Sequence, residues 1–144
     1  MYNSKYHDAA TLRGKTITAI SQIGGDRIEI TTEDGKRYAM LHDQDCCESV
    51  TIHDIEGDLQ SLVGSPLVVA REEADSEWPA DVDKPEYTES FTWTRYFFAT
   101  RNATVRIRWH GESNGYYSES VQIEELDSAQ HQGLQRAEAW RIKI

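Results

Sequence analysis

Nine apolar residues between positions 91 and 123 all fall on odd numbers: Phe91, Trp93, Phe97, Val105, Ile107, Trp109, Tyr117, Val121 and Ile123. Side chains alternate across a β-strand with a period of two, so this run can bury one face only as extended chain. It predicts three antiparallel strands with a shared apolar face. The last turn contains Ser113-Asn114-Gly115. A two-residue Asn-Gly turn would pair odd with even positions and split that face. The spacing therefore predicts an odd-length loop or a bulge near Gly111, forming a tight hairpin end, with Tyr117 packed near Trp109 and Tyr116 on the opposite face. The even face carries Tyr96, Phe98, Arg106, Arg108 and His110. It reads either as a stacking platform or as aromatics covered by a second layer.

Upstream, residues 16–23 alternate, with Ile17, Ala19, Ser21 and Ile23 on one side. Ile28 and Ile30 mark a second strand, Glu33-Asp34-Gly35 a hairpin turn, and residues 37–41 the returning strand. Residues 50–53 read as a short strand and 67–70 as a buried one. Residues 54–64 read as a short helix near 55–63, capped by Asp54 or Asp58 and ended by Gly64, with Leu59, Leu62 and Val63 inward. Residues 1–13 read as a loose N-terminal segment. Residues 71–90, acidic and with two prolines, read as a long loop. Trp140, Ile142 and Ile144 alternate as a final strand. The predicted fold is α+β, mainly antiparallel sheet of seven or eight strands, in one domain over residues 1–144.

Charge narrows the function classes. The chain carries a net −10, and residues 41–90 hold two basic and fourteen acidic residues, which accounts for the whole excess. Phosphate recognition needs a basic patch, so nucleic acid is disfavoured as a partner. A basic protein suits such a surface. No run approaches the roughly 20 apolar residues of a membrane helix, and residues 1–5 precede no apolar segment, so the expectation is a soluble cytoplasmic protein. Cys46 and Cys47 are adjacent. A bond between neighbours closes only a small ring, so two free thiols in a reducing compartment are expected.

Three motifs bear on chemistry. Ala9-x4-Gly14-Lys15-Thr16 matches a loose phosphate-loop pattern, but a strand rather than a helix follows it, which removes the anion site. His42, Cys46, Cys47 and His53 are types that ligate zinc or another divalent metal, although their spacing fits no standard site. Asp43, Asp45, Glu48, Asp54, Glu56 and Asp58 offer oxygen to a hard cation or to a basic partner, again at no known loop spacing. Asn114 and Tyr116 join the candidate binding residues from the Gly111–Tyr117 segment. No resident cofactor is predicted, and no nucleophile elbow, zinc-protease helix or dinucleotide turn is present.

Four strings carry a resemblance. They are Leu12-x-Gly14-Lys15-Thr16-Ile17, His42-x-Gln44-Asp45-Cys46-Cys47-Glu48-Ser49-Val50, a string from Asp54 to Pro66, and Ile107-Arg108-Trp109-x-Gly111-Glu112-Ser113-Asn114-Gly115-Tyr116-Tyr117-Ser118-Glu119. Over about residues 12–124 the chain resembles a family of short, uncharacterised bacteriophage and prophage proteins known as a domain of unknown function. The resemblance implies a phage origin and transfers no activity to any residue. Together with the charge map it implies a non-enzymatic binding protein that contacts a basic host or phage protein, in the manner of a defence inhibitor or DNA mimic. The alternative is a metal-binding domain or metal-dependent enzyme using the His42–His53 cluster.

Overall fold

The computed structural model describes residues 6–126. Two antiparallel sheets hold nine strands: β1 (Tyr6–His7), β2 (Ile17–Ile23), β3 (Arg27–Thr32), β4 (Arg37–Leu41), β5 (Ser49–Glu56), β6 (Val69–Asp75), β7 (Ser90–Ala99), β8 (Thr104–Ser113) and β9 (Gln122–Leu126). One sheet has the order β1-β9-β4-β3-β2 and the other β5-β8-β7-β6. A single apolar cluster draws Ile28, Ile30, Tyr38, Met40 and Ile123 from the first sheet and Tyr96, Phe98, Val105, Ile107 and Trp109 from the second. The fold is mainly β, as the alternation requires.

Local signals worked best where strands are neighbours in sequence. β3 turns into β4 at Gly35, which has φ +88°, and Ile30 faces Tyr38 across the pair. β2 departs from its expected pattern. Its register shifts between Ile17 and Ala19, so Ile17 and Ile20 are buried while Ile23 is 45% exposed. The helix expected near 55–63 is not present. β5 runs through Glu56, and only a 3-10 turn forms at Leu59–Leu62. Asp58 does cap it, accepting from Gln60 N at 3.0 Å, and Gly64 leaves it at φ +101°. Residues 1–13 are not uniformly loose: β1 pairs with β9, and a 3-10 turn buries Ala9 and Leu12 completely.

The aromatic run needs the largest correction. The link at residues 100–103 closes with Thr100 N donating to Ala103 O at 2.9 Å, which sets Ala99 opposite Thr104 and Tyr96 opposite Ile107. Odd positions of β7 therefore lie beside even positions of β8. The core takes Tyr96 and Phe98 from β7 but Val105, Ile107 and Trp109 from β8. Trp93 sits on the outer face beside Arg108 and His110, and Phe97 is covered by the Arg71 guanidinium at 4.0 Å. β8 and β9 do not form a hairpin: β8 lies between β5 and β7, and β9 belongs to the other sheet. Residues 71–75, expected as loop, complete β6 and pair with Trp93–Phe97. The expected strand over Trp140–Ile144 lies outside the described residues.

Candidate functional site

The chain crosses between the sheets at residues 42–48 and again at 114–121. Both crossings lie at the same end of the molecule, because β4 and β9 are paired and β5 and β8 are paired. Each crossing is organised around a buried carboxylate.

Glu48 is the first. Its Oε2 accepts from Asp45 N at 2.7 Å and its Oε1 from Cys46 N at 3.0 Å. Gln44 Nε2 donates to Glu48 O at 2.8 Å. The polar string thus folds into a tight loop whose donors point at its last residue. His42 packs beside it with Nε2 at 2.6 Å from Glu48 Oε2 and Nδ1 at 2.6 Å from Ser120 O. Each ring nitrogen has a partner, so the imidazole bridges one crossing to the other. Its hydrogen bond is the largest influence on the Glu48 carboxyl, which is lowered to about 2 despite its burial.

Glu119 is the second. Thr92 Oγ1 donates to its Oε1 at 2.7 Å, and Ser113 Oγ donates to its Oε2. Burial pushes this carboxyl up, but the hydroxyls of Ser113, Thr92 and Ser90 and the nearby His110 outweigh that and hold it below the usual range. Gly111 makes the approach possible: a Cβ there would stand 2.9 Å from Glu119 O and 3.2 Å from Val50 Cγ2.

Between the crossings lies an open cleft of about 410 Å³, lined by Cys47, Ser49, Tyr87, Thr88, Glu89, Glu112, Ser113, Asn114 and Tyr117. It draws on both of the polar strings that stood out in the sequence, and its volume suits a side chain or a small ligand. Tyr116 and Tyr87 are 82% and 77% exposed, and Tyr116 meets Tyr117 edge-on at 5.0 Å. Tyr117 is half-buried on the cleft wall rather than packed against Trp109. The family model described as a domain of unknown function, DUF7448, matches residues 10–123 and contains both crossings. The chain belongs to the DUF7448 family. No curated protein and no solved structure matches it.

The remaining candidate residues of this DUF7448 chain scatter. Asp43 and Asp45 line a shallow groove with Gln44, Ser118 and Gln122 beside the first crossing. Asp54 pairs with Arg108 at 2.7 Å and Glu56 with Arg106 at 3.5 Å, on the outer face of the second sheet. Asp58 serves as the cap already described. Asn114 holds its own turn, accepting from Tyr116 N at 2.9 Å.

The supposed metal ligands do not converge. Cys46 and Cys47 are joined to each other, contrary to the expectation of free thiols, so neither offers a thiolate. His42 has both nitrogens occupied. His53 lies on the outer face, 5.0 Å from the Trp93 ring. Among the described residues no group of three or more His, Cys, Asp or Glu is placed to hold a metal ion. None of the described helices is long and apolar enough to cross a membrane.

The charge map also changes once folded. Much of the acidic segment is answered by arginines from β7 and β8: Arg95 meets Glu73 and Asp75, and Arg108 meets Asp54 and Asp81. Among the described residues, Asp45, Glu77, Asp83, Glu86 and Glu89 carry no ion pair. Sequence reasoning missed Glu119 and Thr92 as site residues, because a buried acid facing two hydroxyls leaves no periodic signal. It set Arg108 among aromatics, either on a stacking platform or under a second layer, and the strap covers it.

Proposed function

We propose that this chain is a non-enzymatic binding module of bacteriophage origin, acting in the host cytoplasm, whose cleft between the two crossings takes a basic side chain from an extended segment of a host or phage protein. The observation that carries this reading is a cleft lined by the exposed Tyr87 and by Glu89 and Glu112, with the exposed Tyr116 set edge-on against its wall residue Tyr117. Aromatic rings and acids together suit an arginine, which stacks on a ring face while its fork meets a carboxylate. The buried acids support recognition rather than catalysis, because Glu48 and Glu119 spend their oxygens on the fold.

An arginine-rich decapeptide tests this. Its affinity should fall steeply with added salt, because exposed charges are screened beyond a Debye length of about 10 Å at 0.1 M. Glu89→Gln with Glu112→Gln should weaken it about tenfold, which corresponds to 1.4 kcal/mol. Tyr116→Ala should weaken it while leaving stability unchanged, since the ring is largely in solvent. Glu33→Gln, an exposed acid in the β3–β4 turn, is the control. Loss of binding equal to that of the cleft variants, or binding indifferent to salt, would overturn the assignment. A low-salt pull-down from host lysate should retain a basic protein, and the Glu89→Gln, Glu112→Gln variant should release it.

A further inference from the structure

A different face of the molecule carries a second site. Residues 76–89 leave the end of β6 and strap the outer face of β7 and β8 before entering β7. The strap's backbone hydrogen bonds are local: Val82 N to Pro79 O at 3.3 Å within the strap, and Glu77 N to the Asp75 carboxylate at 3.1 Å where it leaves β6. Two of its side chains grip the sheet. Trp78 stands edge-on to Phe91, Trp93 and His110, with centroids 4.9, 5.2 and 5.4 Å away. Asp81 forms two hydrogen bonds to Arg108, each 3.0 Å.

What the strap covers has the chemistry of a site. The Arg108 side chain is 4% exposed and is held from the sheet by Asp54. Its guanidinium lies 5.4 Å from the Trp93 ring centroid. Trp93 is 1% exposed, and its indole N–H has no acceptor. His110 Nε2 lies 3.3 Å from Glu112 Oε2 but outside hydrogen-bond geometry. A buried donor left unpaired costs desolvation without return. The Trp78 indole that packs there cannot supply what is missing, because it is itself only a donor and gives its N–H to Val82 O at 3.0 Å.

We propose that this slot is a binding site for a planar heteroaromatic ring carrying an anionic group, of the nucleoside monophosphate class, closed here by the chain's own Trp78 and Asp81. The ligand's ring takes the place of the Trp78 indole between Phe91, Trp93 and His110. Unlike that indole it offers ring acceptors to the Trp93 N–H. The phosphate takes the place of the Asp81 carboxylate on Arg108, whose fork suits it, while Asp54 keeps the guanidinium in position. The strap swings away by releasing two side chains, with no strand ladder to break. The net −10 of the chain opposes a long polyanion, so the ligand is a single nucleotide rather than a strand.

Calorimetric titration of the full chain with adenosine 5′-monophosphate decides the matter. Trp78→Ala with Asp81→Ala should bind it at least tenfold more tightly than the unchanged protein. Adenosine and inorganic phosphate, each bearing half of the chemistry, should both bind at least tenfold more weakly than the nucleotide. Adding Arg108→Lys, which keeps the charge but loses the fork, should remove the gain. A folded double variant that gives no saturation at millimolar nucleotide overturns the proposal. So does equal affinity in both proteins, or tighter binding of a single-stranded oligonucleotide than of the monomer. If the double variant does not fold, Asp81→Asn alone leaves Trp78 in place and must still tighten nucleotide binding; no gain there overturns the site. Tyr116→Ala, which weakens the arginine peptide at the cleft, leaves this titration unchanged, so failure at one site is distinguishable from failure at the other.

Discussion

Gly57 and Gly115 provide a matched pair for measuring how closely β5 and β8 are fitted. Both have positive φ, +104° and +92°, so alanine at either position pays a similar backbone penalty of about 1–2 kcal/mol. Their surroundings differ. A Cβ on Gly115 would have as its nearest neighbour Ser90 Cβ at 3.9 Å, an ordinary contact. A Cβ on Gly57 would stand 2.7 Å from Thr104 O and 3.2 Å from Val105 Cγ2. Thr104 O is backbone at the start of β8, where Glu56 is paired with Arg106, so relief requires a strand to move. Such overpacking adds roughly 1–3 kcal/mol. Gly115→Ala should therefore cost about 1–2 kcal/mol and Gly57→Ala about 2–5 kcal/mol. For a chain of this size each kcal/mol lowers Tm by about 3–5 °C. Urea denaturation at constant m-value resolves the difference. If the two variants lie within about 0.5 kcal/mol of each other, the ordinary tolerance for surface substitution, the close approach of β5 to β8 is not as described here.

Two further outcomes concern the first crossing. Glu48→Gln should lower Tm by several degrees, because two backbone donors and His42 lose a carboxylate, whereas Cys46→Ser with Cys47→Ser should cost much less, since the loop's hydrogen bonds run to Glu48; equal losses would show that the cysteine pair holds the loop. In acid the sign follows from the depressed carboxyls: Glu48, lowered to about 2, contributes stability that is full above its unfolded value of 4.5 and lost as pH falls through about 2, and Glu119 acts in the same direction. Stability measured from pH 6 to 2 should fall below about pH 4.5, and Glu48→Gln should flatten that slope.

The parts of the fold that were legible in the sequence are those closed by local turns. Asp34-Gly35 specifies the β3–β4 hairpin, and the alternation of Ile28 and Ile30 names its buried face. The strands around residue 100 were visible as strands, but not their facing. Apolar residues occupy both faces of β7, and the four-residue link decides which parity pairs. Trp93 and Phe97 read as core by their apolar character, yet Trp93 is buried under a strap and Phe97 is only partly covered, by an arginine. β6 was hidden because Arg71, Glu72, Glu73 and Asp75 are poor strand formers, and pairing with β7 overrides that preference. The two polar strings were visible as unusual. Their meeting was not, since residues 42 and 120 are brought together only by the return of β9 to the first sheet.

The two strings are joints as well as walls. His42 reaches from one crossing to Ser120 on the other, and Glu119 ties the second crossing back to Thr92 on β7. Residues that brace the sheets against each other are poor material for changing specificity, since altering them loosens the frame. Tyr87 and Tyr116 project into solvent with little else resting on them. A lineage under pressure from a changing partner could rewrite those two positions and leave the frame untouched. Comparing variants of this chain, one would look for partner range in the rim tyrosines and for folding competence in the acids behind them.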